Sequence, residues 1–328
     1  MKTALVTGAT GFLGGHLVQQ LLDAGWRVRA LYRSPASMGV LSALEVDACQ
    51  GDVTDRGSLE RALQDGVDVV FHAAASTASW KPHFPEQRRI NVEGTANVVE
   101  VCLAGGAKRL VHTSSVVVYG LTDEVIDERS AQAGLHSWIH YARTKAEGET
   151  VVRAGIARGL DAVICNPTHI LGPGDTRNWA RLIMLVDQRK LPGSPPGSGA
   201  FIDVRAAAAA EIAAAERGRC GENYLLGGED ASFLDLIQRI GRLLDRPTPK
   251  RALPAAAMRA YARMLDWTSR LTGREPDATP ESVAFVCQRM RCDIRKARSE
   301  LGLEVTPLDE LLVDTVRWLR QQRLVSAQ

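Results

Sequence analysis

Long apolar runs are missing from this sequence. In its 328 residues the longest stretch of small residues, 206–215, is interrupted by Glu211, and a membrane-spanning helix needs about 20 apolar residues in a row. The N-terminal apolar run, 4–6, stops at Thr7-Gly8, short of the roughly 7–15 residues of a secretory signal. Neither an integral membrane segment nor a signal peptide is expected. An excess of one charge sign is missing too: 40 Lys and Arg face 38 Asp and Glu, for a formal net charge of +2. A main partner that is a nucleic acid would require a large basic surface, so none is expected. The six cysteines (Cys49, Cys102, Cys165, Cys220, Cys287 and Cys292) include no Cys-x-x-Cys pair. That usage predicts reduced thiols in the cytoplasm and no metal site. Aromatics are scarce as well, with six Phe, six Trp and five Tyr. The core must then be built from Ala, Val, Leu and Ile, which suits a buried parallel sheet.

What is present is an alternation. Apolar residues make up 45% and charged residues 24% of the chain, as in a globular protein rather than a disordered or coiled one. Residues 2–7 read as a strand. Residues 12–24 carry Leu13, Leu17, Val18, Leu21 and Leu22 at a helical period and end at Gly25. Strands follow at 27–32 and 46–50, then a helix through Leu63 for which Ser58 is the candidate cap. Further strands are expected at 67–73, 109–114 and 161–166, with helices at 91–104 and 139–158 between them. Strands alternating with helices predict an α/β fold with a doubly wound parallel sheet.

After Pro167 the pattern changes. A turn at 172–174, a helix at 176–190 and a flexible Pro/Gly loop at 192–199 are expected, then short strands near 201–204 and 224–226 among helices at 232–244, 255–271 and 307–321. The expected division is a dinucleotide-binding part, 1–167, and a smaller, mostly helical substrate-binding part, 168–328. Segments at about 200–226 would return to the sheet.

The segment Thr7-Gly8-Ala9-Thr10-Gly11-Phe12-Leu13-Gly14 joins the first strand to the first helix. Gly8 permits a tight turn, Gly11 lets the backbone approach a pyrophosphate, and Gly14 lets the helix pack on the strand. The free N–H groups of the helix start then face phosphate. An NAD site usually carries an acid at the end of the second strand, bonding the ribose 2′-hydroxyl. This chain has Tyr32-Arg33-Ser34 there. Arg33 can pair with a 2′-phosphate through its planar fork, so NADP(H) is favoured and NAD(H) remains possible; a solvated surface arginine is the plain alternative. Asp52, in Gly51-Asp52-Val53, is a candidate acceptor for the adenine amino group, or else a turn carboxylate. Ala73-Ala74-Ala75 supplies the small residues that close approach of a cofactor requires.

Tyr141 and Lys145 stand at i and i+4, on one face of a helix. A phenol has a pKa of ~10. A neighbouring ammonium and a nicotinamide cation both favour the phenolate, so Tyr141 can exchange a proton with a substrate oxygen. Ser115, 26 residues before Tyr141, can bond the same oxygen.

These motifs, with Asn-Val-Glu-Gly-Thr at 91–95, His-Thr-Ser-Ser-Val-Val-Val-Tyr-Gly at 112–120 and Asn-Pro-Thr-His-Ile-Leu-Gly-Pro-Gly-Asp at 166–175, resemble the extended short-chain dehydrogenases/reductases of the NAD-dependent epimerase/dehydratase superfamily. The resemblance is strong over about the first 175 residues. It implies a Rossmann fold, Tyr141 as general acid/base and Lys145 as the residue that lowers its pKa and bonds the nicotinamide ribose. It also implies Ser115 rather than Ser114 as the active serine, four before Tyr119. Asn91 would lie near the cofactor, with Thr113 among the contacts and Pro167 and Ile170 beside the carboxamide. The segments at 28–33 and 201–205 resemble the dihydroflavonol-4-reductase-like branch. Two positions depart from it, Asn166 in place of an arginine and Ala206-Ala207 in place of Asp-Val, and both are expected on the substrate side.

The expected function is therefore NADP(H)-dependent reduction of a ketone or aldehyde, or oxidation of the alcohol. A nucleotide-sugar epimerase/dehydratase using bound NAD and a non-catalytic NAD(P)-binding sensor are the alternatives. The partner would be a small carbonyl or alcohol substrate, with a homodimer through the helices at 91–104 and 141–158 usual for relatives. Trp80, Trp138 and Trp179 are candidate pocket walls. Of His83, His136, His140 and His169, none forms a His-x-x-x-His pair with a supporting acid, so no metal is expected. The helix at 255–271 reads as a packed amphipathic helix, with contact to a lipid or another subunit as the alternative. It lies in a basic stretch: residues 242–274 carry eight basic and two acidic side chains.

Overall fold

The computed structural model describes residues 1–42 and 44–326. The last two residues of the second expected part lie outside them. Strands β1 (Thr3–Thr7), β2 (Arg27–Tyr32) and β3 (Asp47–Gln50) alternate with helices α1 (Phe12–Asp23) and α2 (Arg56–Ala62). Then come β4 (Val67–His72), the short helices α3 (Phe84–Arg88) and α4 (Thr95–Val101), β5 (Ala107–Thr113), the two-residue β6 (Val125–Ile126), α5 (His140–Ala157) and β7 (Ala162–Pro167). The second half holds β8 (His169–Leu171), α6 (Trp179–Asp187), β9 (Ser198–Asp203), α7 (Val204–Arg217), β10 (Asn223–Leu226) and β11 (Glu229–Ser232). It ends with α8 (Phe233–Leu244), α9 (Ala255–Thr272), α10 (Pro280–Cys287), β12 (Arg291–Cys292) and α11 (Leu308–Gln321).

Seven strands form one parallel sheet in the order β10-β7-β5-β4-β1-β2-β3. The chain winds outward from β1 to β3, then crosses to β4 on the other side of β1. That reversal leaves a crevice beyond the carboxyl ends of β1 and β4, where such sheets bind ligands. The runs Ala-Leu-Val in β1 and Val-Val-Phe in β4 are buried on both faces, as β-branched and apolar runs in a doubly covered parallel sheet must be. On one face α1 and α7 pack against the sheet through Leu17, Val18, Leu21, Ala207 and Ala214. On the other, α2, α4 and α5 contribute Leu59, Val98, Val99 and Val152. A second core joins α6, α8 and α11 to the small sheet β11-β9-β8.

Several side chains and loops take partners other than those the sequence suggests. Ser58 is not the cap of α2; Asp55 is. Ser58 instead accepts the Asp52 N–H at 3.0 Å and donates to the carbonyls of Asp52 and Asp55, so it ties the preceding turn. Helix α6 begins at Trp179, not 176, because the buried Asp175 carboxylate takes the N–H groups of Arg177, Asn178 and Ala180. The loop at 192–199 is clasped rather than free. The N–H of Gly197 donates to Val286, Ser198 opens β9, and a side chain on Gly197 would meet the Gln288 carbonyl at 2.2 Å. Of the residues expected on the substrate side, Asn166 and Ala207 are fully buried, Ala207 under α1 and Asn166 in a polar cluster described below, and Ala206 is half-buried.

Close backbone packing sets the register of the site helix. A Cβ at Gly148 of α5 would stand 2.8 Å from the Asn91 carbonyl. Neither backbone can yield cheaply, so Gly148→Ala is expected to destabilise the protein by about 1–3 kcal/mol in urea unfolding; an unchanged midpoint would contradict this packing.

Candidate active site

The glycine turn sits at the crevice. Gly8 has φ of +70°, and a Cβ there would lie 2.8 Å from the Ala74 N–H nitrogen, so the turn touches the small-residue segment after β4. Gly14 packs so closely that a Cβ would meet the Gly8 carbonyl at 2.0 Å. Helix α1 starts at Gly11 with no side-chain cap and no acid in its first turn. Its N–H groups are thus left to an outside acceptor, and the residues present fit a dinucleotide pyrophosphate. The loop 172–174 closes over this end: His16 Nε2 lies 2.8 Å from the Pro173 carbonyl, and the Phe12 ring packs on His16 edge to face.

Arg33 stands exposed at the end of β2, 4.0 Å from Glu86. Arg89, which sequence reasoning missed, clamps the same Glu86 through two hydrogen bonds of 2.9 and 3.0 Å. Asp52 spends one carboxylate oxygen on the Thr54 N–H and hydroxyl, both at 2.9 Å, which is the turn role. Val53, Asn91 and Thr113 commit their side chains to protein. Val53 packs under Gly94. The Asn91 carboxamide holds both backbone groups of Ser76 and donates to Thr144. Thr113 donates to Glu211 at 2.8 Å.

At the end of β5 the proposed catalytic residues meet. The Tyr141 phenol lies beside the Ser115 side chain, whereas the Ser114 hydroxyl is buried with no partner. Burial pushes the Tyr141 phenol up, and Ser115 offsets part of that rise. The expected lowering by Lys145 is not seen: burial, which disfavours the charged phenolate, sets the direction of the shift. One turn on, the buried Lys145 ammonium donates to the Thr113 carbonyl at 2.6 Å. Burial pulls Lys145 down to about 8, against the pull of Glu149 and Glu211. Pro167 ends β7 of the large sheet, and Ile170 follows three residues later in β8 of the small sheet.

Two carboxylates beneath this site escaped the sequence reading. Glu149, four residues after Lys145, accepts from Asn166 at 2.6 Å, from Asn223 at 3.1 Å and from Gln132 at 2.8 Å. Asn166 in turn donates to the Ser115 carbonyl at 3.2 Å, so the cluster holds the serine's backbone. The i, i+4, i+8 spacing of Tyr141, Lys145 and Glu149 was the available signal. Glu211 is the acid that breaks the alanine run; it lies fully buried under Thr113, and burial pushes it up to about 7.

The aromatic and histidine candidates divide. Phe285 of α10 meets the Tyr141 ring edge to face at 6.5 Å, and His140 stacks on Phe84 at 4.2 Å. Trp80 packs on His83. Trp179 belongs to an aromatic cluster with His169, Phe201 and Phe233, away from the phenol, and Trp138 is exposed. Among the described residues no His, Cys, Asp and Glu group could hold a metal.

Comparison with known proteins agrees with this arrangement. The profile of the NAD dependent epimerase/dehydratase family matches residues 4–227. A sterol demethylase protein B of Methylococcus capsulatus is 33% identical, with 98% of this chain and 100% of that protein covered. A putative dihydroflavonol 4-reductase of Synechocystis is 31% identical, covering 98% and 96%. The crystal structure of gox2253 superposes with a TM-score of 0.86 at 29% identity, covering 99% and 100%.

The buried carboxyl gives a pH test. Glu211 has a folded pKa of about 7 against an ordinary 4.5, so between these values the folded state holds the extra proton. Stability should therefore fall as pH rises through that window. Chemical unfolding should show the wild type losing stability relative to Glu211→Gln from pH 4.5 to pH 7; a constant difference would contradict the assignment.

Proposed function

The chain belongs to the NAD dependent epimerase/dehydratase family, whose members are NAD(P)-dependent enzymes acting on carbinol and carbonyl groups, and on that premise we propose that it reduces a ketone or aldehyde with NADP(H). The observation that carries the reading is the Tyr141 phenol set beside Ser115 at the end of β5, one helical turn before the buried Lys145 ammonium. A phenol so placed can give its proton to a carbonyl oxygen in reduction, or take one from an alcohol in the reverse direction.

A carbonyl oxygen between Tyr141 and Ser115 accepts a hydrogen bond from each hydroxyl. As negative charge grows on that oxygen, both bonds strengthen, and Tyr141 passes its proton across. The phenolate left behind stands one helical turn from the Lys145 ammonium, and Lys145 at about 8 carries that charge at neutral pH. The Thr113 carbonyl keeps the ammonium in place. The reduced nicotinamide supplies the hydride when bound in the crevice. Gly8, Thr10, Gly11, Phe12, Leu13 and Gly14 would hold its pyrophosphate, with Ala73, Ala74 and Ala75 beside it and Asp52 near the adenine. Arg33 would take the 2′-phosphate, and no acid stands at the end of β2 to take a bare 2′-hydroxyl. A dissociable NADP(H) supports net reduction over an epimerase cycle on retained NAD. Phe285 beside the phenol and the His140–Phe84 stack support an apolar carbonyl compound as substrate. All six cysteines are free thiols, which supports a cytoplasmic setting.

Purified protein should consume NADPH with a member of a ketone and aldehyde panel. Tyr141→Phe should lower the rate by ~10²–10⁴-fold, with NADPH binding retained; full activity in that variant would refute the role of the phenol. Arg33→Ala should weaken NADPH binding by about tenfold or more, as loss of a charge-assisted bond does, and leave NADH binding nearly unchanged. Equal losses for both cofactors would show that Arg33 serves the fold instead.

A further inference from the structure

Helix α9 carries a second apolar stripe on the side it does not pack. Only Ala262 and Ser269 are buried along its length. The residues recurring at i, i+3 and i+4 on the opposite side are Ala257, Ala260, Met264, Trp267 and Leu271, and all are exposed. The large ones are open to a degree unusual for their type: Met264 is 53%, Trp267 62% and Leu271 72% accessible, with Tyr261 at 50% nearby. The packed helix expected from the sequence is there, with Met258 and Leu265 half-buried and α9 against α10, and a second apolar stripe points outward. Isolated exposed apolar residues are ordinary, but a continuous stripe along a helix of 18 residues is not.

Charge says what covers it. Arg259, Arg263 and Arg270 line one flank of the stripe, and Lys250, Arg251 and Arg274 stand at its two ends. Among the described residues no carboxylate lies within ion-pair distance of Lys250, Arg251, Arg259, Arg263 or Arg274. The acid of the helix, Asp266, faces inward and pairs with Arg270 and with Lys81. An outward apolar stripe with tryptophan and tyrosine, edged by arginines, matches a lipid interface: the rings sit among headgroups while the arginines reach anionic phosphates. A second copy of this chain would bring the same positive flank against itself, at a repulsive cost.

We propose that α9 docks the protein on an anionic lipid surface, lying in the plane of the interface with Met264, Trp267 and Leu271 inserted. The helix is also placed at the substrate site. It packs on α10, which sets Phe285 against Tyr141. Asp266 and Lys81 approach to 3.9 Å, as do Glu275 and His83, so the start and end of the 81–83 turn are tied to α9 and to the segment just after it. Docking in this pose sets the 81–83 turn and α10, which carries Phe285 beside Tyr141, near the bilayer, where an apolar substrate is concentrated. The docking itself does not depend on the proposed reductase chemistry, and vesicle binding is read without activity.

The test is co-sedimentation of the full-length protein with phosphatidylcholine vesicles, with and without phosphatidylglycerol. Binding is expected only with phosphatidylglycerol, and salt should weaken it. The double variant Trp267→Ser/Leu271→Ser should lose at least tenfold in partition while its thermal stability and NADPH binding are kept. Arg259→Glu/Arg263→Glu should lose the response to phosphatidylglycerol. Brominated lipid should quench fluorescence in the wild type and much less in Trp267→Phe, which locates the insertion. Absence of binding to anionic vesicles, or unchanged binding in the serine double variant, would overturn the proposal. So would a wild-type dimer that the same variant converts to monomer without any vesicle binding.

Discussion

Burying the Lys145 ammonium is the constraint around which the candidate site is built. A charge taken out of water is costly unless it is paired and hydrogen-bonded. The protein answers with the Thr113 carbonyl at 2.6 Å and with two carboxylates, Glu149 on the same helix and Glu211 on α7. Each answer has a structural consequence. The carbonyl fixes α5 against the end of β5, which sets Tyr141 beside Ser115. Glu149 draws Asn166, Asn223 and Gln132 around itself, and Asn166 then holds the Ser115 carbonyl. Glu211 fixes the Thr113 side chain from the opposite face of the sheet. The partially met cost remains visible in a lysine held near 8 and a glutamate near 7.

The crevice above this network is kept open by small residues. Gly8 against Ala74, and Gly14 against the Gly8 carbonyl, leave no room for side chains. The same economy lets α5 approach the helical segment 89–94 at Gly148, so the helix carrying Tyr141 and Lys145 is pinned at its middle. The second half of the chain then closes the site from two directions: the 172–174 loop over α1, and α10 over the phenol.

Much of this was legible because it is local. Strands buried on both faces read as short apolar runs, and the parallel sheet followed from their alternation with helices. The glycine spacing announced the turn after β1. What the sequence could not show is where distant segments meet. Even a near contact can mislead: Ser58 resembles a cap in isolation, but the Asp52 backbone, six residues before it, claims it. Asn166 was assigned to the substrate side, yet it serves Glu149 on another helix. The loop at 192–199 has the composition of a flexible linker, and its order comes from Val286 and Gln288 about ninety residues later. In α9 the period was plain in the sequence, but a period gives no direction, and only the packing of Ala262 and Ser269 shows that a second apolar stripe looks outward.

Net carbonyl reduction would use the Tyr141 phenol beside Ser115 and the buried Lys145 one helical turn on. The most direct measurement is isotope transfer from NADPH deuterated at the transferring C4 position, with a carbonyl substrate found by the panel. Deuterium should appear at the carbinol carbon of the product, one for each cofactor oxidised. Product formed without label, from protein that retains NAD through purification, would contradict the account and point to an internal redox cycle.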